Sequence, residues 1–195
     1  MSRDRMLVAI RHGQTDWNVE ERFQGHLDIP LNNIGINQAQ ALRSRLAAIP
    51  FDAAYSSPLR RALTTAQIIA SDLPVAVDPR LIEIHHGCWQ GQTKRDIAER
   101  WPQEWERWNS DPERFTPPDG ETADGVRTRI RDFLDAMHGT HILCVSHGVV
   151  IQTLLSVLIG GRYTDHKAYE PANGSIHTVW FRDNSVADYR TDRIA

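Results

Sequence analysis

The chain carries 195 residues, 41% hydrophobic and 24% charged, a balance that suits a soluble globular protein able to bury a core without staples. A formal net charge of -3 and a pI near 6.3 leave no basic surplus to recruit nucleic acid or an anionic membrane. Two distant cysteines, Cys88 and Cys144, make no disulfide framework. The charged N-terminus and short apolar runs give neither signal peptide nor membrane span, so a cytoplasmic location is expected.

Short apolar runs alternate with helical periodicity along the chain, which predicts an α/β fold. Residues 6–10 are continuously apolar, as in a strand buried on both faces. Residues 33–49 place Ala39, Leu42, Leu46 and Ile49 at helical spacing before Pro50. Residues 53–56 read as a short strand. Residues 59–73 read as a helix with Leu63, Ala66, Ile69, Ala70 and Leu73 inward, and residues 75–77 as a strand. Residues 89–118 differ in composition. They hold four of the six tryptophans (Trp89, Trp101, Trp105 and Trp108) and are broken by Pro102, Pro112, Pro117 and Pro118. This stretch reads as a mostly helical flap over one end of the sheet, its tryptophans chiefly packing groups and its basic residues chiefly solvated. A helix over 122–137 turns Val126, Ile130, Phe133, Leu134 and Met137 inward and stops at Gly139. A strand follows at 142–145 with Cys144 as a core thiol, then a buried helix at 149–159 closed by Gly160-Gly161. Residues 175–182 and 186–189 form a final hairpin around Asp183-Asn184.

Ligands of open α/β sheets bind beyond the carboxyl ends of the strands. Two predicted strands end alike there, in Arg11-His12-Gly13 and in Ser146-His147-Gly148, where glycine lets the backbone come close. The His-Gly pair alone says little, since His138-Gly139 simply ends a helix. Two histidines on one sheet edge beside Arg11 point to a site. Arginine meets phosphate oxygens bidentately. Arg60 sits where a strand gives way to a helix start, a place that attracts anions and where a cation opposes the dipole unless it holds one. Its neighbour Arg61 reads as a surface group. Glu83 is either a surface carboxylate or a proton donor and base. Cys88 and Cys144 lack the arginine six residues on that a cysteine phosphatase needs. No Gly-Lys-Ser/Thr loop, His-Glu-x-x-His or Cys-x-x-Cys is present, so neither metal nor cofactor is expected.

Several segments in order and spacing resemble the histidine phosphatase family, which includes phosphoglycerate mutases and many small phosphatases. They are Arg11-His12-Gly13-Gln14-Thr15-Asp16-Trp17-Asn18, Arg22-Phe23-Gln24-Gly25, Ser56-Ser57-Pro58-Leu59-Arg60-Arg61-Ala62, Leu81 with Glu83 and Gly87, Gly120-Glu121 and Ser146-His147-Gly148. The resemblance implies one domain over 1–195, a three-layer sandwich with a mostly parallel central sheet and helices on both faces. It implies His12 as a phosphorylated nucleophile, with Arg11, Arg60 and His147 on the phosphate and Glu83 as acid and base. Asn18, Gln24, Gly25, Ser57, His86 and Gly148 are implied as substrate contacts. The substrate would be a small phosphorylated metabolite, with the protein a monomer or homodimer. Where mutases carry other polar residues this chain has Ile84, His86 and Val149, although Lys94 matches. Those departures favour metal-independent hydrolysis over 2,3-bisphosphoglycerate-dependent phosphoglycerate mutation. A catalytically inactive phosphate-binding domain is the remaining alternative.

Overall fold

The apolar run at 6–10 is the heart of strand β1 (Arg5–Arg11), and its alternation explains why every residue is apolar. Leu7 and Ala9 enter one buried cluster with Phe133, Ile142, Val150 and Leu154. Val8 and Ile10 enter another with Leu42, Ala62, Ala66 and Leu143. A strand covered on both faces has no solvent side on which to place a polar residue.

The computed structural model describes residues 4–161 and 171–192. After β1 come a short helix α1 (Asp16–Val19), α2 (Asn33–Leu46), β2 (Ala53–Ser56), α3 (Arg60–Ala70) and β3 (Val75–Val77). Then follow α4 (Lys94–Arg100), α5 (Pro102–Ser110), α6 (Ala123–Ala136), β4 (His141–Ser146) and α7 (Gly148–Ile159), and the chain closes with β5 (Ile176–Arg182) and β6 (Ser185–Asp192). The sheet order is β3-β2-β4-β1-β5-β6. The first four strands are parallel, β5 runs antiparallel to β1, and β6 is antiparallel to β5. Helices α6 and α7 cover one face and α2 and α3 the other, which is the expected three-layer sandwich. Asp183 and Asn184 carry the β5–β6 turn with φ of 51° and 61°, both left-handed as a two-residue hairpin needs.

The chain moves outward from β1 to β2 and β3, then returns to insert β4 between β1 and β2. The carboxyl ends of these strands finish level, because Arg11 pairs with Ser146 and Ser56 with Val145. The residues just past them, His12, Ser57 and His147, are thereby brought together.

The flap at 89–118 is built on two helices. Helices α4 and α5 meet at Trp101 and Pro102, with turns and irregular backbone on either side. Thr93 starts α4 with a reciprocal capping box to Asp96. Trp89 is fully buried and stacks on Phe115, with ring centroids 5.4 Å apart.

Candidate active site

His12 leaves β1 with its backbone N–H donating to Ser146 O at 2.9 Å. Its Nδ1 lies 2.7 Å from Gly13 O. A carbonyl only accepts, so Nδ1 carries the proton and the lone pair of the neutral ring is on Nε2. The turn that makes this possible needs Gly13, because a Cβ there would lie 2.9 Å from the Cα of Gly35. Gly13 N donates to Thr65 Oγ1 at 3.1 Å, and Asn173 Nδ2 donates to His12 O at 3.1 Å. Helix α3 and the segment before β5 thus clamp the histidine turn from two sides. Burial, then the charges of Arg61 and Arg11, hold the His12 pKa well below 6.5.

His147 precedes α7 and is fully buried. Its ring centroid is 5.1 Å from that of His12, at 61° between planes. Its Nε2 is 2.7 Å from Ser57 Oγ, while its Nδ1 is buried without a partner. Burial, followed by Arg61 and His12, keeps this ring neutral too. Ser57 was expected on the cavity wall. It is instead fully buried behind His147, where it fixes the ring.

The arginine expectation is reversed. Arg60 is exposed and does not line the cavity. Its backbone N–H donates to Asp28 Oδ1 at 2.7 Å, so a carboxylate of the chain already takes the anion position at the start of α3. Arg61 is the buried one, 1% exposed and lining the cavity. It donates through NH1 to Leu27 O and through NH2 to Gly25 O, each at 2.8 Å, and its Nε has no partner. The inward stripe of α3 is Arg61, Ala62, Thr65, Ala66 and Ile69, which keeps Ala66 and Ile69 of the predicted stripe, adds Arg61, Ala62 and Thr65, and leaves Leu63 half-buried. Burial lowers the Arg61 pKa to about 10, with Glu83 and Asp28 opposing the shift. A guanidinium buried on backbone carbonyls remains costly until an anion joins it.

The remaining residues converge on one cavity of about 430 Å³, lined by Arg11, Asn18, Gln24, Gly25, Glu83, His86 and Gly148 besides His12 and Arg61. Arg11 donates through NH1 to Pro171 O. Asn18 Oδ1 accepts from Thr15 N and Thr15 Oγ1 at 3.0 Å and from Asn173 Nδ2 at 3.2 Å. With its oxygen committed, Asn18 presents its NH2 as a donor. Glu83 Oε1 accepts from Ile84 N at 2.9 Å, and burial raises its pKa against the pull of that bond, Arg61 and Arg11. Gly148 brings the first turn of α7 to the cavity. Among the described residues no cluster of three or more His, Cys, Asp or Glu is arranged to hold a metal ion.

The model of the histidine phosphatase superfamily, branch 1, matches residues 7–188. The chain belongs to this superfamily. It is 34% identical to phosphoserine phosphatase 1 of Hydrogenobacter thermophilus over 160 residues, 79% of this chain and 76% of that protein. It is also 34% identical to 2,3-bisphosphoglycerate-dependent phosphoglycerate mutase 2 of Gloeobacter violaceus over 165 residues, 78% of this chain and 75% of that one. The crystal structure of the alpha-ribazole phosphatase of Shigella flexneri superimposes with a TM-score of 0.84 at 31% identity, covering 93% of each chain. The superfamily and its phosphatase members make this chain a histidine-phosphatase-type phosphoric monoester hydrolase.

Trp105, Trp108, Asn109 and Pro112 line the cavity from the flap, so two of its four tryptophans face the site rather than serving packing alone. Sequence reading gave no role to Asn173 or to Thr65, whose hydrogen bonds hold the His12 turn. Asn173 carries no helical or strand signal that would have marked it. Thr65 had one, four residues after Arg61 on the same helix face.

Proposed function

We propose that this cavity hydrolyses small phosphomonoesters in two in-line steps, without a metal ion and in the cytoplasm. In the first, the His12 Nε2 lone pair attacks phosphorus as the bond to the ester oxygen breaks. Glu83, whose pKa burial raises so that it keeps its proton to higher pH, gives that proton to the leaving alkoxide. In the second, the Glu83 carboxylate takes a proton from water, and the water oxygen attacks phosphorus. The N–P bond breaks, its electron pair returns to Nε2, and orthophosphate leaves.

Phosphoryl transfer asks chiefly for positioning and charge neutralisation. Arg11, Arg61 and the Asn18 amide are the donors for the phosphoryl oxygens, with Gly148 N–H and His147 Nδ1 completing the set. Gln24 and Gly25 shape the wall, and Gly25 O also holds Arg61. The observation that carries this reading is a neutral histidine, its Nδ1 tied to Gly13 O, beside a buried Arg61 that has no ion pair among the described residues. A bound phosphoryl group supplies the missing counter-charge. Phosphate release with excess chelator should equal that without it. Activity lost to chelator and restored by a divalent ion would overturn the metal-free reading, and no phosphate release from any monoester would overturn the whole.

A further inference from the structure

The half of the cavity beyond the phosphoryl site must hold the alcohol of the ester, and its side chains share two properties: flat walls and cancelled charge. Trp105 and Trp108 come from α5 and line the cavity half-buried. Each leans on an aromatic cluster, Trp105 on Phe23 with centroids 6.2 Å apart and Trp108 on Trp89 at 5.8 Å. Rings fixed in this way offer flat apolar surface at little entropic cost.

The cations at the rim are already matched. Lys94 Nζ lies 3.2 Å from Glu21 Oε1, and Arg22 Nε and NH2 lie 2.9 Å and 2.8 Å from Glu20 Oε2. Such exposed pairs contribute little to stability. They do leave a carboxylate beside each cation, ready to repel an anionic alcohol. His86, at the inner end of this half, is 6% exposed. Its ring centroid is 4.7 Å from that of Phe23 and 5.6 Å from that of Trp108. Burial, then His85, His26 and Arg61, depress its pKa to about 3, so it meets the substrate uncharged. Its Nδ1 and Gln24 Oε1 are both buried without partners, an uncharged pair that suits a hydroxyl and supplies no counter-charge to a carboxylate.

Resting on the hydrolase reading above, we infer that the enzyme selects phosphomonoesters whose alcohol is uncharged and carries a flat ring, over those whose alcohol carries a carboxylate or a second phosphate. The phosphoryl group takes up Arg11 and Arg61, and among the described residues that line the cavity the other cations, Arg22 and Lys94, are already paired with carboxylates. His86, Trp105 and Trp108 are then the residues that determine specificity.

Three alkyl phosphates separate the contributions: benzyl phosphate (flat, neutral), glycerol 1-phosphate (hydroxylated, neutral, no ring) and 3-phosphoglycerate (carboxylate), with both free phosphate and isomerised product read out. The expected kcat/KM for benzyl phosphate exceeds that for glycerol 1-phosphate by about fivefold and that for 3-phosphoglycerate by about tenfold or more. Glu21→Gln leaves Lys94 unmatched and should narrow the gap to 3-phosphoglycerate several-fold by raising that substrate's kcat/KM. Trp108→Leu should cost benzyl phosphate more than glycerol 1-phosphate. A benzyl-to-3-phosphoglycerate ratio below about tenfold, or isomerisation of 3-phosphoglycerate faster than any hydrolysis, overturns this inference while leaving the hydrolase standing. Failure of all three esters overturns this inference, and the hydrolase reading falls with it only where no other monoester releases phosphate.

Discussion

Two regions face each other across the cavity. At the strand ends, His12, Arg61 and His147 are 3%, 1% and 0% exposed, and each is tied to a backbone carbonyl or a hydroxyl. On the flap, Trp105 and Trp108 are half-buried and rest on other rings through centroid distances of 5.6–6.2 Å. The first region fixes atoms and protonation states through the main chain of a parallel sheet, which has little freedom to move. The second presents surface through side-chain packing, which accepts substitution. Chemistry and selectivity are thus built from different materials, and mutations on the two sides should differ in kind as well as in size.

The largest effect should follow from removing the nucleophile. His12→Ala is expected to lower kcat by about 10⁴-fold, because the two-step path disappears. Glu83→Gln should lower kcat for alkyl esters by about 10³-fold, with less effect on activated aryl esters that leave without a proton. The pH profile gives the sign. A raised Glu83 pKa keeps the acid form at higher pH than usual, so the rate on alkyl esters falls as pH rises through that pKa. That alkaline fall should vanish in Glu83→Gln. A depressed His12 pKa puts the acid limb below 6.5. An acid limb at or above 6.5 would contradict a neutral, buried nucleophile.

A paired test sharpens the boundary between active and solvent faces of α3. Arg61→Ala should cost about 10²-fold in kcat/KM, whereas Arg60→Ala should change it less than about threefold. Thermal melts of both variants check folding. Equal losses would return Arg60 to the site. The smallest effect belongs to the flap: Trp108→Ala should raise KM for ring-bearing esters by less than about tenfold and leave kcat near its starting value. A collapse of kcat there would mean that the flap takes part in the chemical step.

Much of this is legible in the sequence. The strands at 53–56 and 75–77 fall where apolar runs between turn residues put them, and the His12 and His147 turns follow buried strands as expected. Periodicity alone failed at α3. The stripe read from the sequence shares Ala66 and Ile69 with the buried one, but it counts the half-buried Leu63 and leaves out the fully buried Ala62. Small residues carry little hydrophobic signal, yet they are what lets a helix lie close to a sheet. Arg60 is singled out by its place at the helix start, whereas the buried face of α3 begins one residue later, at Arg61. Ser57 was misplaced for a related reason, since a short polar side chain behind a histidine has the same sequence context as one in front. Asn173 acts through contacts more than 150 residues distant, with His12 O and Asn18 Oδ1, and no local pattern encodes those.

The central claim is best tested by trapping the intermediate. The enzyme is mixed with a ³²P-labelled monoester, quenched in alkali within the first turnover, digested and mapped by mass spectrometry. The account requires acid-labile, alkali-stable label on His12, attached at Nε2, and none in His12→Ala. Label on another residue, or full turnover by His12→Ala, would contradict it.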